Sequence, residues 1–180
     1  DELEKLLEDI RRELKRVRED DKRHNDKVKE TLDRVRELIK RLLELIKKVA
    51  DEIRSLKRRV PREEIRKRLK ELEKRLEDLR RTIDKLLKDL EDTSRRWNEE
   101  SKKRLEELRR RLEKAERDVP RTREVEEVKR RIEEILKEAE ETNRRSHEKA
   151  KRVLEELKDI VRKVLEELRR LLRELEEEVR

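Results

Sequence analysis

Two histidines, His24 and His147, are the side chains of this chain best suited to moving a proton or binding a metal, and each sits among short polar residues. "DDKRHNDKV" carries Asp21, His24 and Asn25. "TSRRWNEES" carries Thr93, Ser94, Trp97, Asn98 and Ser101, and "ETNRRSHEK" carries Thr142, Asn143, Ser146 and His147. Two His beside an Asp could begin a metal site, but the chain has no Cys and no His-x3-His pair to complete one. A Ser–His–Asp hydrolase needs a nucleophile, a base, an orienting group and an oxyanion site. Ser146 and His147 are neighbours on what reads as one helix, so their side chains diverge by about 100°. No catalytic residue, metal or cofactor is expected, and the chain is not expected to be an enzyme.

The elements that must carry these residues follow from composition. Of 180 residues 61% are charged, 59 basic against 51 acidic, with 30% apolar and no Gly, Cys or Met. High charge with few apolar residues often means disorder. Here the apolar residues are periodic, and Glu, Lys, Leu and Arg dominate, the composition of long helices and coiled coils. Without Gly, and with two Pro, there is no material for hairpin turns, so no strands are expected. Each Pro follows a Val, in "KRRVPREE" and "ERDVPRTRE". Proline disfavours helix in the residue before it and is tolerated in the first turn of the next. The two Val-Pro steps therefore predict three helices, over 1–58, 61–117 and 121–179, each on the order of 85 Å long. The fold class is all-α: a single elongated three-helix bundle, up-down-up, covering 1–180.

Each helix carries one apolar stripe. Helix 1 runs Leu3, Leu7, Ile10, Leu14 and Val17, then Leu32 through Leu56 toward Val60. Helix 2 runs from Ile65 through Ile83, Leu86 and Leu90, then Leu105, Leu108, Leu112 and Ala115. Helix 3 runs Val125, Val128, Ile132, Ile135 and Ala139, then Val153, Leu157, Ile160, Val164, Leu168, Leu171 and Leu175. The steps of three and four average about 3.6 residues per turn rather than the 3.5 of a strict heptad, which predicts nearly straight helices. Further apolar residues flank the stripe, namely Leu38, Leu43, Leu45 and Ala50 in helix 1 and Leu154, Val161, Leu165 and Leu172 in helix 3. A three-helix core uses about three positions per heptad, so these do not demand a partner.

Each stripe fails once, at its polar stretch. In an up-down-up bundle with short turns, residues facing each other across the first turn have numbers summing to about 121, and across the second to about 239. His24 then faces Trp97, and Trp97 faces Thr142 and Asn143. The three interruptions fall at one level. A buried polar group without a partner costs roughly 1–3 kcal/mol. Asn and His donate and accept, Ser and Thr rotate to suit, and Trp donates through its indole nitrogen. The expected result is a buried network of His24, Asn25, Thr93, Ser94, Trp97, Asn98, Ser101, Thr142, Asn143, Ser146 and His147. Such a layer is satisfied in one register only and so specifies helix pairing, as a single Asn does in a coiled coil. The plain alternative is a solvated defect in a long bundle.

Basic and acidic residues alternate within a turn, as in "EKLLED" and "KRLEDLRR", so specific nucleic-acid binding is not expected from the +8 net charge. No apolar run approaches a membrane span and no signal pattern opens the chain, which reads as soluble and made by recombinant cytoplasmic expression. No partner is required. A monomer resistant to heat is expected, with self-association or a designed partner as the alternative.

"KRLEELRRRLEKAERDV" and "RKVLEELRRLLRELEEEVR", the repeated Val-Pro-Arg loop and the one confined polar layer resemble de novo designed helical bundles that carry buried hydrogen-bond networks. The resemblance covers the whole chain and implies a designed structural protein without natural biochemical activity, or a component of a designed assembly. A natural spectrin-like three-helix repeat is the second alternative; its helices are shorter and its residues more varied.

Overall fold

The computed structural model describes residues 2–56 and 61–179. Asp1, residues 57–60 and Arg180 lie outside it, and with them the expected start of helix 1 at residue 1, its end at 58 and the stripe residue Val60. The described residues form three α-helices: α1 Glu2–Leu56, α2 Arg62–Asp118 and α3 Arg123–Val179. There is no strand among them and no residue with positive φ. The fold is an all-α three-helix bundle.

Local signals set the ends. The Pro61 carbonyl accepts from the amides of Glu64 at 3.1 Å and Ile65 at 3.3 Å, so α2 starts directly at the proline. Helix α3 starts at Arg123, two residues later than expected. Thr122 caps it, its Oγ1 accepting from the Val125 amide at 3.4 Å and its carbonyl from Glu126 at 3.0 Å. Acidic residues occupy each first turn, Glu2 and Glu4, Glu63 and Glu64, Glu124 and Glu126, where the helix dipole favours them.

The helices pack into two compact units, each built from one segment of every helix. The first takes α1 up to Lys27 together with Glu91–Val153. Its core is Leu3, Leu6, Leu7, Ile10, Leu14 and Val17 from α1, Leu105, Leu108, Leu112 and Ala115 from α2, and Ile132, Leu136 and Ala139 from α3. The second takes Val28–Leu90 and α3 from Leu154. Its core joins Val35, Leu42, Ile46 and Ile53 to Ile65–Leu90 of the α2 stripe and to Leu154, Leu157, Val161, Leu165, Leu168, Leu172 and Leu175. Each fully buried Leu or Ile contributes roughly 1.5–3 kcal/mol.

The stripe of α3 is rotated from the one expected. Leu136, Leu154, Val161, Leu165 and Leu172 are buried, whereas Ile135, Val153 and Val164 are half-buried and Ile160 and Leu171 are exposed. In α2, Leu87 is likewise buried and Leu86 only half so. At each of these places two apolar residues are adjacent, about 100° apart on the helix. Either could face inward by spacing alone. Packing against two neighbouring helices selects the second member of each pair, so residues read as flanking the stripe form its centre.

Candidate polar layer

All three polar stretches fall within the first unit. His24 is 7% exposed, at the level where the stripe between Val17 and Leu32 is broken. Ser94 of α2 places its Oγ 2.8 Å from His24 Nδ1. Trp97, one turn further along α2, stands edge-on to the imidazole, with ring centres 6.3 Å apart and planes at 87°. Ser146 of α3 donates to Asp21 Oδ1 of α1 at 2.6 Å. Thr93 Oγ1 accepts from Lys27 Nζ at 3.3 Å. The layer thus ties α1 to both other helices: α1 and α2 meet at the register read from the sequence, whereas Ser146 lies seven residues beyond the level of α3 expected opposite Asp21.

A second cluster adjoins it. Ser101, 2% exposed, donates to Asp20 Oδ2 at 3.4 Å and accepts from Arg104 Nη2 at 3.2 Å. The same guanidinium reaches Asp20 at 3.3 Å and, through Nε, Glu13 Oε1 at 2.7 Å. Glu13 is 7% exposed and sits between Ile10 and Val17 on the inward face of α1. A buried carboxylate is tolerated only when its charge is met by a well-placed cation. Arg104 meets it here.

A cavity of about 30 Å³ lies at the centre of the layer, lined by Trp97, Asn98, Asn143 and His147 together with His24 and both serines of α2. Trp97 answers the need for volume beside the small Ser94 and Ser101. Thr142 is half-buried next to Asn143. Asn25 is exposed, contrary to the expectation that it joins the network. It follows His24 by one residue, so once the imidazole points inward, Asn25 is turned about 100° toward solvent. Spacing did not single out Asp20, Glu13, Arg104 or Lys27 as members. Their only sequence signal is position: Glu13 lies three residues after Ile10, and Arg104 three after Ser101.

The electrostatics favour a neutral His24. Burial lowers its pKa from 6.5, and His147 and Lys149 lower it further, while Asp21 opposes them. His24 Nε2 is buried without a hydrogen-bond partner among the described residues. A hydrolytic triad would need a carboxylate on that second ring nitrogen to orient the base; Asp21 bonds instead to Ser146. The Ser94–His24 contact links α2 to α1. Among the described residues, no group of three or more His, Cys, Asp or Glu is arranged to hold a metal ion. Among them, too, no helix is long and apolar enough to cross a membrane.

The arrangement defines a three-helix bundle with an internal polar layer that links its helices. No protein-family model and no curated protein matches the chain. A solved structure described as "Computationally designed three helix bundle" shares 18% identity with it, covering 99% of this chain and 90% of that one, with a TM-score of 0.45.

Proposed function

We propose that the chain is a de novo designed structural protein without natural biochemical activity, in which the polar layer specifies helix register and pairing. The observation that carries this reading is that Asp21 and His24, one turn apart on α1, each receive a serine from a different helix. An idealised text of Glu, Lys, Arg, Leu and Ile without Gly, Cys, Met, Phe or Tyr supports the designed origin. Packing of coiled-coil type along the stripes and high thermal stability belong to the same reading.

The layer works by penalty. A sliding helix would strand Asp21, His24, Ser94 and Ser146 against apolar side chains, at roughly 1–3 kcal/mol per unmet group. An all-apolar layer would tolerate the slide. The test uses Trp97, the chain's single tryptophan, as reporter. In the native chain its indole N–H should give one NMR cross-peak. Replacing the layer by apolar residues (Asp21→Leu, His24→Leu, Ser94→Ala, Ser146→Ala) should raise stability while splitting that peak. A single sharp peak in the variant would remove the layer's specifying role. The assembly alternative is favoured by a separate observation, the exposed Ile160 and Leu171 of α3.

A further inference from the structure

Ile160 is 58% exposed and Leu171 40%, and they stand about three turns apart on α3 in the second unit. The 100° spacing puts both on one edge of the helix, with half-buried Val164 beside them. Ion pairs fix which neighbour that edge adjoins. Glu178, on the same edge, pairs with Arg54 of α1 at 3.5 Å, whereas Arg169, on the far side of α3, pairs with Glu77 of α2 at 3.9 Å. The exposed apolar strip therefore borders the groove between α1 and α3.

The two banks of that groove differ in charge. The side of α1 that carries Arg54 also carries Lys29, Arg36, Lys40 and Lys47, all exposed, with exposed Asp33 and Asp51 at its outer margin, which leaves it net basic. The outer edge of α3 carries Glu156, Glu167, Glu174 and Glu178, interrupted by Lys163. Glu167 also meets Arg170 of its own helix at 2.7 Å, so what distinguishes the two banks is their net sign, basic on α1 and acidic on α3.

We propose that this face of the second unit is a self-association surface, and that its occupant is a second copy of the chain. A two-fold axis parallel to these helix segments lays the basic α1 bank of each copy over the acidic α3 bank of the other. It also brings the two Ile160–Leu171 strips together at the centre. One patch thereby complements itself, the requirement for a closed symmetric dimer. The apolar strip alone is small, but Glu156 to Glu178 spans about 33 Å at 1.5 Å per residue. Two helix faces of that length, with the stems of Lys and Arg covering apolar surface, approach the roughly 800 Å² per partner of a stable interface. A two-fold axis perpendicular to the helices would set like banks against each other, which disfavours it. The proposal goes beyond the layer reading and does not depend on it, since the layer lies in the first unit.

The test is sedimentation equilibrium of the full chain from micromolar to near-millimolar loading, at low and high salt. The expected mass is twice 22.5 kDa, with dissociation favoured by salt. Ile160→Glu with Leu171→Glu, both at exposed sites and so compatible with the fold, should return a single-chain mass with an unchanged helical circular-dichroism signal. Lys40→Glu with Lys47→Glu should weaken association by at least about tenfold, and adding Glu167→Lys with Glu174→Lys should restore it. A single-chain mass at every loading overturns the proposal. So does a dimer indifferent to the Ile160 and Leu171 changes, or a charge reversal that the second pair fails to rescue. The Trp97 cross-peak reports on the layer separately, so failure of one claim leaves the other readable.

Discussion

Arg104→Met tests the buried charge cluster beside the layer. The substitution removes hydrogen bonds to Glu13 at 2.7 Å, to Ser101 at 3.2 Å and to Asp20 at 3.3 Å. It leaves the Glu13 carboxylate, whose side chain is 9% exposed, packed among apolar residues without its cation. Breaking such a pair costs about 3–5 kcal/mol when both charges are fully buried. Arg104 is 25% exposed and Asp20 19%, so water recovers part of the loss and about 2–3 kcal/mol is expected. Glu13→Leu should cost less, about 1 kcal/mol, because Arg104 keeps Asp20 and some solvent. The double variant puts two apolar side chains face to face and should lie within about 1 kcal/mol of the parent. The coupling is therefore on the order of 2 kcal/mol, well outside the scatter of additivity for independent sites. Guanidinium unfolding of the four proteins measures it, provided the slope with denaturant stays constant across the set. Additive single effects, or an Arg104→Met loss under about 0.5 kcal/mol, would refute the reasoning and return the cluster to an ordinary surface ion pair.

Because burial holds the folded pKa of His24 below its unfolded value of 6.5, the unfolded chain binds more protons in mild acid. The contribution of His24 is full above that value and is lost as pH falls from it toward the folded pKa. Guanidinium midpoints at about pH 7.5 and about pH 4.5 should then differ more for the native chain than for His24→Asn; equal differences would mean that His24 is solvated. Paired surface charges and long apolar stripes on all three helices predict melting above about 90 °C, which circular dichroism checks; a transition below about 65 °C would mark the polar layer as a serious flaw. Since each helix runs unbroken through both units, unfolding in guanidinium should be one transition by Trp97 fluorescence, which sees the first unit, and by helical signal, which sees both. Two separated transitions would make the units independent domains.

The fold was legible because its signals are local and redundant. Two Val-Pro steps in a chain without glycine leave few other places for helices to end, and the level at which the polar stretches of α1 and α2 meet follows from helix length alone, whereas that of α3 is displaced by about two turns. The Asp20–Ser101 and His24–Trp97 contacts fall where that count puts them. What spacing could not resolve was rotation. Where Ile160 adjoins Val161, or Leu171 adjoins Leu172, the period admits both, and only the placement of two other helices decides. The same blindness hid Glu13 and Arg104. A charged residue beside a stripe reads as solvated until its partner on another helix is placed opposite it. Asn25 is the converse case, a polar residue in the right stretch on the wrong side of the helix. The start of α3 was displaced by a side chain: Thr122 supplies the cap, and Pro120 alone does not set the first turn.

The central claim is that the polar layer fixes one register, and pulsed electron–electron resonance between spin labels at exposed Lys22 of α1 and exposed Lys114 of α2, offset by about 22 Å along the helices, tests it most directly. A slide of one heptad moves one helix along the other by about 10 Å, far more than the width of a single-state distribution. The native chain should give one narrow distance, and the variant with Leu and Ala in the layer should add a second population displaced by most of that amount. A native chain with two populations, or an apolar variant as narrow as the parent, would contradict the claim.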